Sequence, residues 1–103
     1  MAFNGTEGQQ ITIADASILT ANHRTAHPNA RQGTFMGKDI LNSILAQPGC
    51  MGIRTYHGLD SAGNRELILV GVDMNENDII EGIVADRGPI CPPYCSTSNP
   101  LNS

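Results

Sequence analysis

A chain of 103 residues is the common size for one folded domain, so a single core is expected. Charged residues make up only 16 % of it and the net charge is -4, against roughly 25 % charged residues in an average soluble domain. Lys38 is the single lysine and Arg24, Arg31, Arg54, Arg65 and Arg87 are dispersed, so no nucleic-acid partner is expected, because that affinity rests on clustered cations that neutralise phosphates.

The longest apolar run, Leu67 to Val72, falls far short of the roughly 20 residues a membrane helix needs, and no membrane span is expected. Met1 to Gln10 has neither the basic n-region nor the apolar h-region of a secretory signal. The cytoplasm is therefore the default address, with non-classical export left open. A weakly charged, amide-rich surface gives copies little electrostatic reason to stay apart.

In chain order, residues 1–10 read as a polar arm with Phe3 as its anchor besides the initiator methionine. Thr12 can cap a helix over about 13–26, with Asp15 in the first turn and Pro28 as the stop. Ile11, Ala14, Ile18, Leu19 and Ala21 or Asn22 lie roughly on one stripe of it. A polar connector leads to a second helix, in which Met36, Ile40, Ile44 and Leu41, Leu45 recur at i, i+4, and Pro48-Gly49 ends it.

From Cys50 the period becomes two, as in a strand, and Asp60 to Asn64 make a turn. Glu66 to Asp73 is a near-continuous apolar run that fits a central strand covered on both faces. A turn at Asn75 to Asp78 precedes a third strand over Ile79 to Ala85. The short connections forbid parallel crossovers. The expected fold is therefore α+β: two N-terminal helices packed on a three-stranded antiparallel meander, with extended N- and C-terminal arms. Its divisions are 1–10, the domain 11–90, and the Pro/Cys-containing tail 91–103. A second copy is the expected cover for the sheet face that the helices leave open.

Cys50, Cys91 and Cys95 can be read as three thiolate ligands for zinc or an iron–sulfur centre, with His57 as a fourth. A disulfide between two of the three is a second reading, and free thiols that pack are a third. A meander puts Cys50 and Cys91 at opposite ends of the sheet, which weighs against a joint metal site. The leading expectation is no cofactor. His23 and His27, at i, i+4, have the spacing of two metal ligands on a helix, but Arg24 stands where a zinc protease needs glutamate. They read as exposed histidines at a helix C-terminus. Asp73, Asn75 and Asn77 imitate a calcium loop until Asp78 and Val84 occupy the places of its glycine and bidentate glutamate, so the segment reads as a hairpin turn. No nucleotide-binding loop or nucleophile elbow occurs, and no catalytic residue is assigned.

The segments Ile44 to Arg54 (ILAQPGCMGIR), Leu69 to Asp73 (LVGVD) and Cys91 to Cys95 (CPPYC) resemble a set of small uncharacterised bacterial proteins with the pattern Q-P-G-C-x-G-I-R, L-V-G-V-D, C-P-P-x-C. The likeness spans about residues 11–95 and implies a complete domain without assigning an activity.

These features point to a non-enzymatic, self-associating structural protein, a homo-oligomer or filament subunit whose partner is itself. Phe3, Leu69, Val70 and Leu101 are the expected interface residues. The alternatives are a small thiol or metal-binding module on the three cysteines, and a small enzyme or accessory subunit.

Overall fold

The computed structural model describes residues 2–103 of the chain. It is an α+β protein with the element order α1 (Ile13–Ala26), β1 (Gly33–Thr34), α2 (Lys38–Leu45), β2 (Cys50–Leu59), β3 (Arg65–Asp73), β4 (Val84–Ala85) and β5 (Ile90–Cys91). The chain forms two compact units: Met36–Gly88 with the N-terminal stretch through Gly8, and Gln9–Phe35 with Pro89–Ser103.

In the first unit the three strands are antiparallel in the order β2-β3-β4. Ile53 stands opposite Gly71, and the pairing runs without a slip to Leu59 opposite Arg65, after a register shift between Cys50 and Gly52. Asp60 closes the hairpin by accepting hydrogen bonds from the amides of Ala62 (2.9 Å) and Asn64 (2.8 Å). Asp73 closes the next turn in the same way, through Asn75 (2.9 Å) and Asn77 (3.0 Å). Both are aspartates that substitute a side-chain oxygen for a backbone carbonyl, the usual reason for Asp at a turn.

The i, i+4 seam of α2 packs on one face of this sheet. Ile44, wholly buried, forms the core with Leu69 and Ala85, and Met36, Ile40, Leu41, Cys50, Ile53, Leu67 and Ile83 pack around them. The opposite face holds Val70 and Val72, only 3 % and 4 % exposed within the single chain. Part of their cover is the N-terminal stretch: the Phe3 amide donates to the Met74 carbonyl at 3.0 Å, and Phe3 and Val72 line one cleft. The second sheet face is thus closed at these valines by the chain itself, where the sequence pattern had pointed to a second copy.

The third strand is shorter than expected. Val72 pairs with Asp78 as an isolated bridge, and regular pairing resumes only at Val84 and Ala85. Gln47 intervenes: its Oε1 accepts the Ile83 amide at 2.8 Å while its Nε2 donates to the Ile44 carbonyl at 2.9 Å. Space for the side chain comes from two glycines. A Cβ at Gly71 would lie 2.8 Å from Gln47 Nε2 and 3.0 Å from Cys50 Sγ, and one at Gly82 would strike Gln47 Oε1.

The second unit contains α1 and a two-stranded sheet that pairs β1 with β5, Gly33 opposite Cys91 and Thr34 opposite Ile90. Thr12 caps α1 by accepting the Asp15 amide at 3.0 Å. The expected apolar stripe buries nothing: none of the residues of α1 is buried. Ser17 and Thr20 break the stripe and turn their hydroxyls back to Ala14 and Ser17 carbonyls, a local alternative these residue types offer. Polar bonds tie the unit instead. Arg24 donates to the carbonyls of Leu101 (2.7 Å) and Ser103 (2.8 Å), so the tail is fastened to α1.

Candidate functional site

β2 is an edge strand of the first unit whose middle, Thr55 to His57, is exposed. On the sheet face of Val70 and Val72, Arg54 and Tyr56 both reach Asp78: Arg54 Nη1 donates to Oδ1, and the Tyr56 hydroxyl donates to Oδ2. Arg54 also donates to the Glu76 carbonyl at 3.3 Å and lies over the Phe3 ring, 5.9 Å from its centroid. Hydrogen bonding with Tyr56, and then with Asp78, raises the guanidinium pKa above its ordinary value. The network ties strand, turn and N-terminal stretch together and consumes the only formal charge on β2 in an internal ion pair. Its members sit 22 and 24 residues apart in sequence, with no motif to announce them.

Two open clefts flank β2. One, of about 350 Å³, lies between the N-terminal stretch and the start of the strand, with Phe3, Glu7 and Arg54 on its walls. The other, of about 510 Å³, lies at the hairpin end beside His57, Leu59, Arg65 and Glu66. Neither brings a nucleophile next to a base.

The cysteines divide. Cys91 and Cys95 are joined by a disulfide in the second unit, so their sulfurs are not thiolate ligands in this state. Cys50 is a free thiol of the first unit whose sulfur donates to the Gly52 carbonyl at 3.2 Å and packs against the core. The disulfide reading takes two of the three cysteines and the packing reading takes the third. The joint zinc or iron–sulfur reading of Cys50, Cys91 and Cys95 gives way, because a bridged pair offers no charge to a metal. Among the described residues no group of three or more His, Cys, Asp or Glu side chains converges on a point that could hold a metal ion. His23 and His27 have ring centroids 5.6 Å apart, and His23 Nε2 is 3.0 Å from the Arg31 carbonyl, so its ring is committed to a loop.

Of the expected interface residues, Leu69 and Val70 are buried within the chain and present no surface to a second copy. The reason is that α2 covers one face and the chain's own loops cover the other. Phe3 is half-buried on its own unit, and Leu101 is exposed at 42 %. Among the described residues no helix is long and apolar enough to cross a membrane. No protein-family model, curated protein or solved structure matches the chain.

Proposed function

We propose that this protein is a non-catalytic, self-associating structural subunit that works as a homo-oligomer or in a filament. The observation that carries the reading is the imbalance of its apolar residues. Among the described residues only Ile44, Leu69, Val70, Val72 and Ala85 form the buried hydrophobic set, while large apolar side chains from Ile13, Ile18 and Leu19 to Leu59, Ile80 and Tyr94 stand more than half exposed. Exposed apolar residues scattered singly are ordinary; this many on a chain with so small a fully buried core leave apolar area that association between copies can bury.

Association between copies uses it without enlarging the core. Leu101, in the tail and 42 % exposed, is a further anchor whose remaining exposed area a neighbour would bury. The Cys91–Cys95 disulfide supports an oxidising location over the cytoplasm that composition alone suggests.

Light scattering of the full chain across a dilution series tests the proposal, with sulfate added in a second series because excluded salts strengthen apolar association. The expected result is a mass that rises from one chain to two or more with concentration and with sulfate. A one-chain mass throughout both series would remove the basis for a structural role.

A further inference from the structure

We infer that two copies join through β2, antiparallel about a two-fold axis at Tyr56, into a closed dimer with one continuous six-stranded sheet. The inference rests on the self-association proposed above and specifies its surface.

The direction of the backbone groups follows from one bond. The Gly71 carbonyl accepts the Ile79 amide at 2.8 Å, on the side of β3 away from β2. In an antiparallel ladder the N–H and C=O of one residue point to the same side and successive residues alternate. Ile53, opposite Gly71, is therefore in a non-hydrogen-bonded pair, and its own N–H and C=O point outward from the sheet. The unslipped register carries that parity along the strand. Thr55, His57 and Leu59 point outward as well, while Arg54, Tyr56 and Gly58 point to β3.

The outward groups of Ile53, Thr55, His57 and Leu59 meet no backbone partner among the described residues. Natural sheet edges are blunted by lysine, proline, a charge turned to the edge, a bulge, cover by a loop, or shortness. β2 has ten residues, no lysine and no proline, and Arg54 is held to Asp78. From Thr55 to Leu59 the edge is thus a template without a guard; the register shift at Cys50–Gly52 and the N-terminal stretch, where a Cβ at Gly5 would come within 3.3 Å of the Met51 carbonyl oxygen, flank only its start.

A second copy of β2 is the occupant that this edge fits. In the antiparallel register centred on Tyr56, Ile53 of each copy faces Leu59 of the other and Thr55 faces His57, so all four outward residues are paired at once. Shifting the centre by one residue either strands Ile53 or draws in Met51 at the register shift. The same register covers Leu59, 73 % exposed in the single chain, and sets Tyr56 beside its own symmetry mate, an aromatic cross-strand pair. The opposite edge, β4, has only two residues. A β2-to-β4 contact would propagate into a fibre but has too short a partner strand, so the like-to-like contact prevails and closes after two copies.

Proline at position 55 removes an N–H that points outward and leaves the β3 ladder whole, an edge-strand setting in which proline is tolerated. Thr55→Pro is measured by light scattering and circular dichroism, with Thr55→Lys as a second variant that keeps the backbone and adds an edge charge. The expected result is a two-chain mass for the wild type and a one-chain mass with unchanged circular dichroism for the variants. Should Thr55→Pro fail to fold, Thr55→Lys decides alone. A folded variant of wild-type mass would place the interface elsewhere while leaving self-association intact, and a wild-type mass above two chains would overturn closure. A wild type of one chain at every concentration would overturn both this inference and the reading beneath it.

Discussion

The side-chain oxygen of Gln47 accepts the backbone amide of Ile83 at 2.8 Å across 36 residues of sequence. One amide side chain thereby does what a strand partner would otherwise do, and it joins the C-terminal end of α2 to the segment that leads into β4. Replacing Gln47 by alanine leaves the Ile83 amide and the Ile44 carbonyl without this partner. A loss of about 1–3 kcal/mol is expected, the cost of an unsatisfied buried polar group, measured by urea unfolding. Gly82→Ala should destabilise by a similar route and by no more, because its Cβ would strike Gln47 Oε1, the far end of a flexible side chain that can swing away at the expense of the Ile83 bond. Wild-type stability in both variants would show that Gln47 is ornamental to the fold.

Ile44 and Leu59 are both aliphatic, yet the first is wholly buried and the second 73 % exposed. Ile44→Ala should cost about 2–5 kcal/mol, the transfer and cavity terms of a core truncation. Leu59→Ser should leave single-chain stability within about 0.5 kcal/mol, as for most surface changes. Unfolding at a concentration where the protein is a single chain makes the comparison, and equal losses would contradict the placement of the core.

The Cys91–Cys95 bridge spans only four residues in sequence, so it removes little entropy from the unfolded chain. Its effect should be local. Reduction with a dithiol is expected to accelerate hydrogen exchange at Gln32 and Phe35, whose amides donate to Cys91 and Pro89 carbonyls at 2.8 Å, and to leave Val70 protected. Chelators should change neither. Faster exchange at Val70 after reduction would mean that the bridge supports the first unit as well.

Glu7 accepts the amides of Asn4 and Gly5, each at 3.0 Å. Backbone hydrogen bonding, that of Asn4 foremost, holds its pKa below the ordinary 4.5. A carboxyl whose folded pKa is depressed stabilises the fold fully above its unfolded pKa, and loses that contribution as pH falls through the folded value. The N-terminal stretch should therefore keep its order at neutral pH and loosen only below about 4.5. Amide chemical shifts of Asn4 and Gly5 followed through an acid titration measure this, and Glu7→Gln should flatten the curve. An unchanged titration in Glu7→Gln would assign the transition to another group.

Local chemistry made much of this legible in the sequence. The Thr12 cap, the proline stops, the α2 seam and the aspartate turns at 60 and 73 each depend on residues within a few positions of one another, and all appear where they were expected. The antiparallel order of β2, β3 and β4 follows as well, because short connections permit nothing else. Tertiary structure alone decided the rest. The β1–β5 pair joins residues some 58 positions apart through two rungs, too short to leave a periodic trace. The Arg54–Asp78–Tyr56 network and the bond from Gln47 to Ile83 are contacts between polar side chains that are unremarkable singly, and only the folded chain brings them together. The sequence showed that β3 is apolar on both faces, but whether a neighbour or the chain itself covers the second face depends on where Phe3 and the 74–78 turn come to rest. That position is set by long-range packing, for which residue order carries no local signature.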